Sequence, residues 1–472
     1  MYYNDFSALV FYLILVALYL LQAIAYYKFF EKADQPGWIG FVPFYNYFIH
    51  LKIVGRPLWW IVLILVPIVN FFVILTMHLD LLKSFGRYSY LDQALGVLLA
   101  PVYMIYIAYG DAEYKGEATK MPKEKKTAPQ EWFEAIVFAV FAATLIRWFF
   151  MEAYVIPTPS MERSLLVGDF LFVSKIEYGP RTPKTPVQIP LTHAKIWGTE
   201  IPSYISAVQL PQLRLPSLGK VERGDVVVFN YPPEFENPSD LRTHYIKRCV
   251  AVSGDTLEVR AGQVFVNGES QENPELMQFR YFIETTQTIR DRVFEDLGIS
   301  DYTFRGNGYI LDARPDVITK LQAYDFVTDV IVQIAPEDYV EQRIFPDARY
   351  YPWNADHFGP LEIPRKGMTI NVDEYNLAKY GSTIENYEGW ENVEIDIDKL
   401  MIDGQELTEY TFKKDYYFMM GDNRHNSEDS RYWGFVSEDF IVGEASFIWM
   451  SLDDKKSLIN KIRWSRLFDG IE

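Results

Sequence analysis

The stretch RWFFMEAYVIPTPSMERSLLVGDFLFVSK, Arg147 to Lys175, decides the fold, because two textures of sequence meet inside it. Ahead of it the chain is a succession of long apolar runs. From Ile156 onward, short β-rich runs alternate with turn residues: DFLFVSKI, GDVVVFNY, HYIKRCVAV, GDTLEV and GQVFVNG. Each is bounded by Gly, Asp or Pro, the residues that punctuate strands and hairpins. DTLEVRAGQVFVNG reads as a hairpin turning at Ala261-Gly262. No helical period is sustained through these runs. The expected fold is therefore a mainly β domain of curved antiparallel sheets, preceded by an α-helical membrane region.

Upstream, four runs are long and free of charge: Phe6–Tyr27, Pro57–Met77, Gln93–Gly110 and Ala135–Ile146. A bilayer span takes about 20 apolar residues, so the runs predict four spans. The fourth continues to Arg147, whose long side chain can reach the lipid–water interface. The first residues lack the basic segment of a cleavable leader, so the first run is expected to stay as a span. Orientation follows from lysine and arginine. Asp111–Gln130 holds Lys115, Lys120, Lys123, Lys125 and Lys126, and the first loop holds Lys28, Lys32, Lys52 and Arg56. The positive-inside rule places these two loops in the cytoplasm and everything after Ile156 outside. The expected organisation is three spans in 1–110, a basic linker in 111–130 and a fourth span in 131–156. A β domain follows in 157–269 and 401–450, with an insertion at 270–400 and a tail at 451–472.

The 472 residues allow about three domains. A net charge of −18 argues against a nucleic-acid-binding surface, which needs a basic face. The only cysteine is Cys249, so no internal disulfide forms. In the insertion, TTQTIRDRVFEDLGI and VITKLQAYDFV look helical, and PRKGMTINVDEYNLAKYGSTIENYEGW looks like strand, turn and helix. This predicts a small α+β element. Nothing in it gathers His, Cys or carboxylates at metal-ligand spacing, and no metal or cofactor is expected.

Three segments could carry chemistry: TPSM at Thr158–Met161, HYIKR at His244–Arg248, and GDNRHNSEDSRYWG at Gly421–Gly434. Alone, Ser160 is a turn hydroxyl and Lys247 a surface lysine. On a strand, Tyr245, Lys247 and Cys249 share one face, and Ile246 and Arg248 the other. If the first face is buried, the Lys247 amine loses hydration and its pKa falls. A neutral amine can then take a proton from a serine hydroxyl.

Together these segments resemble the type I signal peptidases, membrane-bound Ser–Lys proteases that remove secretory signal peptides. The resemblance rests on PTPSMERSLLVGDFLFVSK, RGDVVVFNYP, YIKRCVAVSGD and GDNRHNSEDSRYWGFV, in that order after an apolar span. It covers about Tyr154–Asn267 and Leu400–Met450, and the long insertion resembles the variant of Bacteroidetes-type bacteria. It implies Ser160 as nucleophile and Lys247 as general base. The Ser160 N–H and Thr158 hydroxyl would form the oxyanion hole. Ser427 would hydrogen-bond the Lys247 amine. Asp429 and Arg431 would hold the scaffold, with Gly421 and Asp422 shaping the adjoining turn. Tyr154, Ile156, Met161 and Ile246 would bind substrate in shallow pockets. The implied partners are secretory preproteins and the lipid bilayer, and the insertion is left open as a lid, a docking surface for the export machinery, or padding; the implied location is the inner membrane, with the β domain on the periplasmic side.

Two features depart from the family pattern. Arg163-Ser164 stands where members often have Pro-Thr, and His244 precedes Lys247 by three residues. Eukaryotic-type relatives use a histidine base, but Lys247 lies within the intact Ile246-Lys247-Arg248 strand and is preferred. Signal peptides end in small residues at alternate positions. An extended peptide puts alternate side chains on one face, so two shallow pockets suffice, with the peptide added as a strand beside Ala153–Pro157. A self-cleaving repressor-type Ser–Lys protease is disfavoured by the apolar runs and acidic charge. A non-catalytic receptor on the same fold is disfavoured by the joint presence of Ser160, Lys247, Ser427, Asp429 and Arg431.

Overall fold

The computed structural model describes residues 2–64, 69–121, 128–454 and 456–471; the side chains of 2–15, 69–71, 98, 129–130, 133–134, 137 and 458–459 lie outside that description. The chain forms two compact units, residues 1–139 and 140–472.

The first unit is helical. Its helices are Tyr2–Lys32, Tyr45–Val54, Trp60–Ile64, Val69–Ser84, Tyr90–Leu98 and Ala100–Tyr109, and the helix starting at Ala128 begins here. Tyr26, Phe29, Phe30, Val54, Leu81, Leu82 and Ile107 form a shared core. Among the described residues no helix is long and apolar enough to cross a membrane. The described residues therefore give the expected four spans no support. The second apolar run lies in two helices, Trp60–Ile64 and Val69–Ser84, with residues 65–68 outside the description. The third run breaks at Leu99, which leaves helical backbone ahead of Pro101. Pro101 has no N–H to give the Val97 carbonyl and its ring crowds that carbonyl, so it is tolerated only in the first turn of the next helix. The first and fourth runs, Phe6–Tyr27 and Ala135–Ile146, extend into residues whose side chains lie outside the description.

The second unit is built on an eight-stranded antiparallel sheet. Its strands are β1 (Met151–Val155), β2 (Asp169–Ser174), β3 (Val226–Asn230), β4 (His244–Ala251), β5 (Tyr416–Met420), β6 (Val436–Ser437), β7 (Ile441–Ser451) and β8 (Asp469–Gly470). The spatial order is β1-β2-β7-β3-β4-β5-β6, with β8 also beside β7. The register of β7 slips at Phe170/Leu171 and Phe172/Val173 against β2, and at Ile441/Gly443 against β3. Such bulges bend a strand and strengthen its twist, so the sheet curls. β3 is buried along its whole length. Val226 and Val228 join Ile156, Met161, Leu171 and Val173 on one face; Val227 and Phe229 join Cys249, Phe418 and Phe435 on the other.

A second sheet orders Phe358–Glu362, Thr256–Arg260, Gln263–Val266 and Glu269–Ser270. Its hairpin turns at Ala261-Gly262, both in left-handed backbone. The insertion is built in two ways. Residues 279–332 form a four-stranded sheet with helices Asp291–Asp296 and Pro315–Gln322 around a separate core of Ile283, Phe294, Leu311 and Leu321. Helix Glu374–Tyr387, capped by Asp373, instead sends Leu377, Tyr380 and Ile384 into the main core.

Candidate active site

Ser160 lies in a 3₁₀ turn, Pro159–Met161, that follows β1 at one end of the sheet. Lys247 lies on β4, four strand positions away. Four spacings across a flat sheet would be about 19 Å. The curl closes that gap. Lys247 Nζ donates to Ser160 Oγ at 2.8 Å, and the rings of Tyr154 on β1 and His244 on β4 meet edge-on at 4.9 Å.

Both side chains are shielded: Lys247 is 4% and Ser160 8% exposed. Among the described residues, the amine's bonding partners are the Ser160 hydroxyl and the Ile246 carbonyl, at 3.0 Å. Burial pulls the Lys247 pKa down to about 8, against the opposing pull of Asp429, Asp422 and Glu428. An amine in that state is neutral often enough near neutral pH to accept a proton from a hydroxyl within hydrogen-bond distance.

The loop Gly421–Arg424 clamps the Ser160 turn. Asn423 N donates to Ser160 O at 3.1 Å, and Asn423 Nδ2 to Pro159 O at 3.1 Å. Asp422 is gripped by Arg248 in bidentate fashion, at 2.9 and 2.7 Å, and accepts from Ser164 Oγ at 2.6 Å. Thus Ser164 anchors the turn after Met161. Gly421 admits no side chain: a Cβ would stand 2.5 Å from Ser160 O and 2.3 Å from Ser427 Oγ.

Behind this loop, Asp429 caps the short helix Ser430–Trp433 and accepts from Gly421 N at 3.0 Å. Arg431 pairs with both its oxygens at 2.9 Å, and donates to the Arg424 carbonyl at 2.6 Å. Both side chains are essentially inaccessible, at 0% and 1% exposure. Burial alone would raise the Asp429 pKa, but the Arg431 charge holds it below the usual carboxylate range.

A family model described as signal peptidase, peptidase S26, matches residues 129–296 and 362–450, more than half of the chain. The chain belongs to the type I signal peptidases. Among curated relatives, Signal peptidase I of Helicobacter pylori strain J99 is 26% identical over 347 residues, 71% of this chain and 91% of that protein. Signal peptidase I of Buchnera aphidicola from Schizaphis graminum is 27% identical over 321 residues, 67% of this chain and 73% of the relative. That of Haemophilus influenzae is 27% identical over 344 residues, 72% and 75% respectively. Residues 38–117 match a family of unknown function. This signal peptidase is thus an enzyme that cleaves signal peptides, built on a mainly antiparallel β fold.

The geometry places the expected residues unevenly. Ser160, Lys247, Asp422, Asp429 and Arg431 converge as described. Thr158 is exposed, in extended backbone at the head of the turn. Ser427 departs from expectation. Its hydroxyl lies beside the Asp429 carboxylate and lowers its pKa, and among the described residues it makes no bond to Lys247. The amine is already committed to Ser160 and Ile246. Ile156 and Met161 are core residues rather than exposed pocket walls; Met161 is fully buried, its sulfur 3.4 Å from the Asp422 N–H. Tyr154 and Ile246 remain partly exposed beside that core. His244, the alternative base, packs against Tyr154 and His193, and burial pushes its pKa well down. Arg147, expected at a lipid interface, is ion-paired with Glu152 at 2.5 Å, and Glu152 also pairs with Lys175. Asn423 was not given a role by sequence reasoning, although it stands in the quoted GDNR segment.

Proposed function

We propose that Ser160 is the nucleophile and Lys247 the general base of a Ser–Lys dyad that cleaves exported preproteins after small residues at −1 and −3. The observation that carries this reading is the 2.8 Å contact between Lys247 Nζ and Ser160 Oγ in surroundings that lower the amine's pKa to about 8. The neutral amine takes the serine proton as Oγ attacks the scissile carbonyl; the ammonium then returns it to the leaving amine. Ser160 is the second residue of a 3₁₀ turn, so its N–H is among those left without a partner inside the turn. Together with the Thr158 hydroxyl it is assigned to the oxyanion.

The substrate is assigned to the open edge of β1, where it adds one more antiparallel or parallel strand. Tyr154 and Ile246 line its side-chain subsites, with Ile156 and Met161 as the floor beneath. Asp422, Asp429 and Arg431 hold the turn in place, and Ser427 closes the space beside Gly421. For membrane attachment we assign the apolar runs Phe6–Tyr27 and Ala135–Ile146, with the β domain outside the inner membrane as the lysine-rich loops imply. A signal peptide lies in the bilayer and its cleavage site emerges at the surface; Ser160, eleven residues past Phe149, would meet it there.

Purified protein with one preprotein tests the assignment. Ser160→Ala and Lys247→Met are each expected to abolish cleavage while thermal unfolding stays near wild type. Robust cleavage by either variant would refute the dyad.

A further inference from the structure

The residues that the family match omits, 297–361, reach the Ser160 turn. Ser300 Oγ donates to Glu162 Oε1 at 3.0 Å, two residues past Ser160. Glu162 is only 7% exposed, and its carboxyl is raised by burial and pulled back by the Ser300 hydroxyl. Gly298 packs on the Arg163 guanidinium so closely that a Cβ would come within 2.4 Å of Nη2; its backbone is left-handed, as is that of Arg163.

Residues leading into this segment, Gln278 and Arg280 within the family match, and Asp301 beyond it, hold the clamping loop. Gln278 N donates to Asp422 O at 2.9 Å, and Arg424 N to Gln278 O at 3.1 Å. Arg280 N donates to His425 Nδ1 at 3.1 Å, at the start of the module's strand Phe279–Thr285. Asn426 Nδ2 donates to Asp301 Oδ2 at 3.2 Å. The turn carrying Ser160 is therefore held from two sides. Asn423 grips it from the loop, and Ser300 grips Glu162 from a module that reaches the loop through Arg280 and Asp301.

We propose that the module formed by residues 279–332 is a wall of the active site, and that Ser300 is a positioning residue that sets the Ser160 turn through Glu162. The proposal rests on the reading of Ser160 and Lys247 as the reacting pair. A hydroxyl misplaced by a fraction of an ångström meets the scissile carbonyl less often, whereas binding along β1 is untouched. The expected signature is thus a loss in kcat at constant KM.

The test uses the full chain in detergent and one preprotein, with Ser300→Ala, Ser300→Thr, Glu162→Ala, the Ser300→Ala/Glu162→Ala pair and Ser160→Ala assayed together. Losing a hydrogen bond to a buried carboxyl predicts a kcat about tenfold lower for Ser300→Ala, with KM within about twofold and a melting temperature lowered by at most a few degrees. Ser300→Thr restores kcat to within about twofold of wild type. The double variant loses no more than Glu162→Ala alone, because the two side chains act through one bond. Wild-type kcat in Ser300→Ala, a loss matched by the fraction of protein unfolded at the assay temperature, or additive losses in the pair would overturn the proposal. Activity retained in Ser160→Ala would instead sink the dyad, so the two failures are distinguishable.

Discussion

Two of the buried cations around the Gly421 loop, Arg431 and Lys247, are treated in opposite ways. Arg431 sits against both oxygens of Asp429 and is pushed still further toward its charged form. Lys247 is as deeply buried, but among the described residues no carboxylate bonds its amine, and it is pulled toward neutrality. The difference separates scaffold from chemistry. A paired guanidinium keeps its charge and fixes geometry; an unpaired amine can give its charge up. The carboxylates that do act on Lys247, Asp429, Asp422 and Glu428, act from outside bonding distance.

The largest expected effect comes from making Lys247 resemble Arg431. Lys247→Arg keeps the charge in a group that does not deprotonate, so cleavage should fall by about 10²–10⁴-fold. A partly active arginine variant would break the comparison. Next, Arg431→Met leaves Asp429 buried without its partner, at a cost of about 3–5 kcal/mol by thermal or denaturant unfolding. Lys247→Met should behave differently. The unfolded chain takes up the lysine proton below its ordinary pKa near 10.5, the folded chain only below about 8. Wild type therefore loses about 3 kcal/mol relative to Lys247→Met as pH falls through that window. Parallel pH dependences of the two proteins would count against a desolvated amine.

Cleavage itself should rise about tenfold per pH unit up to a midpoint near 8 and level off above it, because the base acts when neutral. Glu428 is exposed and raises the lysine pKa. Glu428→Gln removes that pull, so the midpoint of the pH–rate profile should move down by less than about half a unit. This is the smallest shift expected, and an upward one would reverse the sign of the argument.

How much of this was legible varies with the range of the signal. DFLFVSKI, GDVVVFNY and HYIKRCVAV became β2, β3 and β4 because alternation and turn residues act over a few positions. The hairpin at Ala261-Gly262 was readable for the same reason. Ser160 and Lys247 were marked by their surrounding motifs, but their contact depends on bulges in β7, which no local pattern announces. Apolar length suggested four spans; the break at Leu99 turns on backbone geometry ahead of one proline. Ser427 was expected on the lysine, and the amine's bonds instead go to Ser160 and Ile246. The Asn423 clamp and the Ser300 bond were missed because single polar contacts between residues far apart in sequence leave no period.

The central claim is that the fold keeps the Lys247 amine close to neutral beside the Ser160 hydroxyl. Titrating the lysine side chains by NMR, in protein carrying ¹³C at lysine Cε, tests it most directly, with Lys247→Met identifying the resonance. The account predicts a midpoint near 8 for Lys247. A midpoint near 10.5, like that of a lysine in water, would contradict it.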